Sequence, residues 1–193
     1  ILKRRANSPT VAGGLFVRGG ARNITEKNAG IENLTLSAAI EASKNRPRQT
    51  VRRELASMGS AIGASVTNDY SVFSFGTTKQ NFDRFWEIFS DVVVNPSFAE
   101  DDIKRTREQI LTGLREAGTM PESALEALQD RTMYTGHPYA HEVLGTVSTI
   151  SAISPADLRA YHKNIMETSR LLFVVVGDIE PDVLKAKITA AFG

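Results

Sequence analysis

The sequence contains no cysteine, so it forms neither a disulfide nor a thiolate metal site, and its redox compartment is left open. Neither sign of charge is in excess. The 23 Lys and Arg stand against 22 Asp and Glu, a balance with no electrostatic pull toward nucleic acid or an anionic membrane. No apolar run approaches the roughly 18 residues of a transmembrane helix, and no charged-then-apolar leader precedes the first strand-like segment. A soluble chain that does not insert into a membrane is expected. The G-x-S-x-G elbow and the G-x-x-x-x-G-K-[ST] loop are both missing, which argues against a serine acyl-transfer enzyme and a P-loop nucleotide site. Histidine is scarce, with 3 in 193 residues.

What is present is ordinary globular material, 41% hydrophobic and 23% charged, enough to bury a sizeable core. One domain, residues 1–193, is expected. It begins at Ile1 almost directly in a strand and stops at Gly193 directly after a helical pattern, which reads as a piece of a longer chain. Lys3-Arg4-Arg5 reads as a solvated terminus.

Thr10 to Arg18 is β-branched and apolar and ends in Gly19-Gly20, a strand and its turn. Asn28 or Gly30 caps a helix in which Ile31, Leu34, Thr35, Ala38, Ala39 and Ala42 recur at helical spacing until Asn45-Arg46-Pro47 breaks it. A short helix is expected over Thr50 to Met58. Two strands follow, Ala61 to Thr67 and Tyr70 to Gly76, forming a hairpin around Asn68-Asp69. Phe82, Phe85, Trp86, Phe89 and Val93 share one helical face, expected as core rather than as a cofactor box. Further helices are expected over Phe98 to Gly118, over Pro121 to Tyr134, after the Ser154 cap with Pro155 at the first position, and over Asp182 to Phe192. Leu171 to Val176 is an apolar strand. Strands that cluster early and once late, with helical pairs between them, make the class α+β.

A set of short segments in fixed order resembles one known family. They are Val17-Arg18-Gly19-Gly20-Ala21-Arg22, Asn28-Ala29-Gly30-Ile31, Met58-Gly59, Asp91-Val92-Val93-Val94-Asn95-Pro96-Ser97-Phe98, Gly136-His137-Pro138-Tyr139, Gly145-Thr146 and Val174-Val175-Val176-Gly177-Asp178-Ile179. Together they resemble the N-terminal, normally zinc-carrying domain of pitrilysin/insulinase-type metallopeptidases, the inverzincins, which include mitochondrial processing peptidase-like subunits. The resemblance implies a mostly antiparallel sheet with helices packed on one face. It also implies a first strand before Thr10, and that strand is expected to be missing here.

In that family a helix carries H-x-x-E-H, two histidines one turn apart as zinc ligands and a glutamate as general base. The corresponding helix here opens Gly30-Ile31-Glu32, and the three slots read Asn33, Leu36 and Ser37. The family's third ligand is a glutamate roughly 75 residues downstream, completing three protein ligands around an open fourth position; that count lands on Gly113-Leu114. Asn33 offers a weak neutral amide, Leu36 nothing, Ser37 a poor ligand, and Gly113 and Leu114 none. Glu108 and Glu116 are off register and read as exposed helix carboxylates. No cofactor is expected, although the family's is zinc. His137 and His141 have an i, i+4 spacing that chelates metal on a helix. They are the place to look for a relocated metal, but Ala140 occupies the position where a base would help. Asp69-Tyr70 reads as a turn residue and a strand aromatic rather than an acid–phenol pair.

The resemblance also implies partners. The family builds a chamber from two related domain pairs, commonly joining an active half with one lacking zinc. An edge strand near the zinc helix takes peptides by strand addition, matched here by Gly63-Ala64-Ser65-Val66-Thr67. The expected function is therefore that of a non-catalytic, structural or regulatory half of such a chamber. It would assemble with its own C-terminal domain or with an active zinc-bearing homologue, as in a heterodimer, in a bacterial periplasm or cytoplasm. The alternatives are a zinc endopeptidase subunit and a peptide-binding scaffold with no proteolytic partner.

Overall fold

Strand alternation sorts the apolar side chains of this chain onto one face of a sheet, and helical periodicity supplies the layer that covers that face. In the computed structural model, which describes residues 1–193, the strands are β1 (Leu2–Arg4), β2 (Thr10–Arg18), β3 (Ala61–Val66), β4 (Tyr70–Thr78) and β5 (Leu171–Gly177). They form one sheet in the order β1-β5-β2-β4-β3. Every pairing is antiparallel except β1 with β5. The helices are α1 (Ile31–Ala39), α2 (Arg48–Ser57), α3 (Phe82–Val94), α4 (Glu100–Gly118), α5 (Pro121–Met133), α6 (Val147–Ala152), α7 (Pro155–Ile165) and α8 (Pro181–Phe192). None is long and apolar enough to cross a membrane.

Val11, Leu15 and Val17 of β2, Phe73 and Phe75 of β4, and Phe173 and Val175 of β5 point to the inner face and join one core cluster. The stripe on α3 fills that face. Phe75 packs between Phe85 and Phe89 at ring-centroid distances of 5.4 and 5.0 Å. Gly13 makes room for it, since a Cβ there would sit 3.0 Å from the tip of the Phe75 ring.

The α+β class, the hairpin and the α3 core follow the sequence reading, and several boundaries depart from it. Residues before Thr10 do form a strand. Backbone bonds from Val175 N to Ile1 O (2.9 Å) and from Arg5 N to Gly177 O (3.0 Å) seat β1 on β5. Lys3, Arg4 and Arg5 are exposed, as expected, but Arg4 is tied down: its Nε lies 3.2 Å from Asp178 Oδ1, and Lys79 Nζ lies 2.7 Å from Asp178 Oδ2. The bond from Lys79 first, with Arg4 and the Asn7 N–H behind it, holds the Asp178 carboxyl below its ordinary pKa.

Helix α1 ends at Ala39 because the chain is then drawn across to α3. The Asp91 carboxylate accepts from Ser43 Oγ (2.6 Å), Asn45 Nδ2 (2.8 Å) and Arg46 Nη1 (2.6 Å). Helix α4 starts after Phe98 because that residue is buried in a left-handed conformation, φ 47°, which a helix cannot continue. Helix α6 was not foreseen. Its Thr146 cap bonds Thr149 N and is bonded in return, a reciprocal capping box. Ser154 and Asp157 cap α7 in the same way.

His162, which the segment Tyr161-His162-Lys163 alone reads as a surface or boundary helix residue, is buried at 9% exposure. Its Nε2 lies 2.8 Å from the Val93 carbonyl oxygen, and its ring meets Phe98 edge-on at 5.6 Å. Burial lowers its pKa, with Lys44 adding to the effect against the Val93 bond. A depressed histidine is neutral when folded and protonates more readily when unfolded, so stability falls as pH drops below the unfolded value of about 6.5. Burial opposes ionisation of Asp91, but its hydrogen bonds from Ser43, Asn45 and Arg46 outweigh burial and leave it below the usual carboxylate range. Its contribution, present above the unfolded value of about 3.9, is lost in more acid solution. Urea midpoints measured against pH should therefore fall in two stages, and His162→Gln should remove the upper one. An unchanged upper stage in that variant would refute the assignment.

Candidate functional site

The helix that carries the emptied slots is fixed by the residue beside them. Gly30 caps α1 in a left-handed conformation, φ 83°, and a Cβ there would lie 2.6 Å from Gly145 Cα. The two glycines, far apart in sequence, let the start of α1 and the loop before α6 touch backbone to backbone. Glu32, in the first turn, is 1% exposed. Its carboxylate accepts from Gly20 N at 3.1 and 3.2 Å and also from Ser71 Oγ and Tyr161 Oη. One carboxylate thereby joins α1 to the turn after β2, to β4 and to α7. Burial first, and then the Glu32 charge, raise the Tyr161 phenol well above its ordinary pKa, so it stays a donor. The sequence reading assigned no role to Glu32, Ser71 or Tyr161. The available signal was a carboxylate at the N-terminal turn of a helix, where the peptide dipoles favour negative charge.

The slots themselves have other uses. Asn33 is half-buried, and its Nδ2 donates to the Leu144 carbonyl oxygen at 3.0 Å, reinforcing the Gly30–Gly145 contact. Leu36 is 0% exposed within the core cluster. Ser37 is half-buried, Gly113 is exposed on α4 and Leu114 is half-buried. Helix α4 does pack against α1, so the slots lie on neighbouring elements. Glu108 and Glu116 sit with Gly113 on an open, solvent-facing stretch of α4. These residues do not fit zinc: one amide is committed to a carbonyl, one position is aliphatic core, and the downstream position has no donor.

His137 and His141 are not on an α-helix, which corrects the premise of the spacing argument. They flank a 3-10 turn, Pro138–Ala140, and both are extended, with φ, ψ of −101°, 147° and −83°, 138°. His137 Nδ1 accepts from Tyr139 N at 3.2 Å. No group of three or more His, Asp or Glu side chains in the chain is placed to hold a metal ion. Asp69 pairs not with Tyr70 but with Tyr139, whose Oη donates to Oδ1 at 2.6 Å; that bond raises the Tyr139 pKa. Tyr70 instead packs on Phe16.

Strand β3 lies at the end of the sheet and pairs only with β4, so its other edge is open. Gly63 to Val66 belong to the strand; Thr67 belongs to the turn, where its N–H bonds Tyr70 O at 2.8 Å. Beyond that turn lies a cleft of about 460 Å³ whose walls include Asn68, Leu114, Ala127, Tyr139, Leu144 and Gly145. It brings the end of the open strand and one of the emptied ligand positions to the same depression.

Residues 1–147 match the family described as Insulinase (Peptidase family M16). The chain belongs to this family. Among curated proteins it is similar to bovine cytochrome b-c1 complex subunit 1, mitochondrial, 26% identical over 180 residues, covering 93% of this chain and 38% of that protein. It is also similar to the mitochondrial-processing peptidase subunit beta of Caenorhabditis elegans, 22% identical over 93% of this chain and 39% of that one. The fold matches that of a peptidase M16 inactive domain from Pseudomonas fluorescens with a TM-score of 0.91 and 21% identity, covering 100% of this chain and 48% of that one. The chain thus spans less than half the length of each.

Proposed function

We propose that this M16 domain is a catalytically silent N-terminal half of a peptidase chamber, acting by assembly with its own C-terminal half or with a zinc-bearing homologue. The observation that carries the reading is the re-employment of the metal slots: Asn33 holds the Leu144 carbonyl and Leu36 is core, while the scaffold around them is intact. Helix α5 supports assembly, for it has no buried residue and leaves Leu125 and Leu128 64% and 63% exposed. After exhaustive dialysis the chain should retain no stoichiometric zinc. Stoichiometric zinc that disappears on His137→Ala or His141→Ala would overturn the proposal in favour of a relocated metal site. Co-purification from the native source should bring down an H-x-x-E-H-bearing chain, unless that half is covalently attached.

The domain also offers an extended peptide the open edge of β3, at Gly63–Val66, with the neighbouring cleft receiving a side chain. Backbone hydrogen bonds would supply the affinity in this mode. Consecutive N–H groups of a strand point to opposite sides, so one of Ala64→Pro and Ser65→Pro removes an outward donor. That variant should weaken peptide binding at least about tenfold, the cost of one or two lost backbone bonds, while folding is retained. If neither substitution changes binding measured by fluorescence anisotropy, β3 is not the docking edge.

A further inference from the structure

Helix α5 is the only α-helix of the fold without a buried residue, and the cleft of about 460 Å³ lies along its inner side. The residues it turns to the cleft include Ser123, Ala124 and Ala127, all short. Glu126 and Asp130 border the cleft too and stay in solvent. Across the gap stand Leu114, Leu144 and Val147, and the last two are 51% and 40% exposed. Apolar groups thus face one another with water between them, an arrangement the hydrophobic effect penalises. Closing the gap empty would not relieve it, because a helix that offers only methyl and hydroxymethyl groups leaves voids against leucine and valine.

The two walls are not held alike. The far wall is pinned: Tyr139 Oη donates to Asp69 Oδ1 at 2.6 Å, Asn33 Nδ2 donates to the Leu144 carbonyl oxygen at 3.0 Å, and Gly145 meets Gly30 backbone to backbone. The α5 wall hangs on an exposed ion pair, Arg131 Nη2 to Glu142 Oε1 at 3.5 Å, a kind of contact worth little, and on the Tyr134 ring against Tyr139 at 5.4 Å. Glycines stand at both ends. Gly118 closes α4 and Gly136 follows α5 at φ 77°, and a Cβ at either would meet no atom within 4 Å. Such positions absorb backbone rotation at no steric cost, so α5 is a stiff rod between two permissive joints. Asn68, from the turn that ends β3, borders the same cleft, so a peptide laid along β3 passes its mouth. Leu125 lies two residues from Ala127 and therefore on the opposite side of the helix, which leaves the outward stripe free for assembly.

We infer that α5 is a hinged flap that closes on an apolar side chain of a peptide docked at β3, the ligand supplying the packing that the short residues of α5 cannot. This rests on the proposal that β3 is a docking edge. Hydrogen–deuterium exchange of the full-length protein reads both at once. Without peptide, the amides of α5 should exchange at least about a hundredfold faster than those of α3. An uncharged serine–threonine octapeptide with one central leucine, at about millimolar concentration, should slow exchange on β3 and slow it at least about tenfold on α5. Its leucine-free counterpart should slow β3 only. If both peptides slow β3 and neither slows α5, the inference fails and the docking edge stands. If neither element responds, both fail. An α5 as protected as α3 before any peptide is added is a fixed element, which also overturns the inference. Ala127→Phe supplies the missing bulk from within the chain. It should slow α5 exchange at least about threefold with no peptide present and remove the advantage of the leucine peptide over its counterpart. If that variant leaves α5 exchange unchanged, the empty space is not what frees the helix, and the inference falls.

Discussion

Replacing Glu32 by alanine should lower the unfolding free energy by about 4 kcal/mol, because buried donors left without acceptors cost roughly 1–3 kcal/mol each. The donors at risk are Gly20 N–H, Ser71 Oγ–H and Tyr161 Oη–H. The hydroxyls rotate toward other acceptors and recover part of the loss, whereas the Gly20 N–H has no such freedom. A loss of this size is a large share of the roughly 5–15 kcal/mol that holds a domain together. Glu32→Gln should cost about half as much, because one oxygen still accepts while the new NH2 faces donors. Tyr161→Phe in the Glu32→Ala background should cost far less than Tyr161→Phe alone, the non-additivity expected of residues in one network. Urea denaturation of wild type and these four variants measures all of this. A Glu32→Ala variant within about 1 kcal/mol of wild type would show that the carboxylate does not hold α1 in place.

The pattern of what the sequence revealed follows from the range of the forces involved. The α3 stripe, the Ser154-Pro155 cap and the β3–β4 hairpin are written in periods and turns only a few residues long, so they were legible. Strand β1 was not, because three residues with two charges have no strand signal of their own. They pair only because β5 offers an open edge and Asp178 waits for Arg4. His162 was misplaced for a similar reason. Its helix is amphipathic, but which flank faces Val93 and Phe98 depends on how α7 lies against the rest of the domain. The slots Asn33, Leu36 and Ser37 stood out through resemblance alone. Their present roles required partners 111 residues away, in the case of Asn33 and Leu144, or a whole core, in the case of Leu36.

Those roles also separate the ligand positions from the base position, and the difference is measurable. Asn33 and Ser37 lie one helical turn apart and are only half-buried, and a side chain built on Gly113 meets no atom within 4 Å at its Cβ. The triple variant Asn33→His, Ser37→His, Gly113→Glu should therefore fold, losing mainly the Asn33 bond to Leu144. It should also present two imidazoles and a carboxylate from packed helices, the ligand set of a catalytic zinc site. Binding to the folded state alone would raise its stability by about 4 kcal/mol at zinc a thousandfold above the dissociation constant, with no zinc-dependent shift in the wild-type chain. Leu36→Glu is different. At 0% exposure the new carboxylate replaces core packing with an unpaired buried charge, so this single change should cost several kcal/mol. Adding it to the triple variant should bring the domain near its unfolding threshold. Thermal melts with and without zinc distinguish these outcomes. If the triple variant gains no zinc-dependent stability, the assignment of Asn33, Ser37 and Gly113 to the ligand positions is wrong. If Leu36→Glu is tolerated without loss, the position is not committed to packing, and the route back to a working general base is shorter than its burial implies.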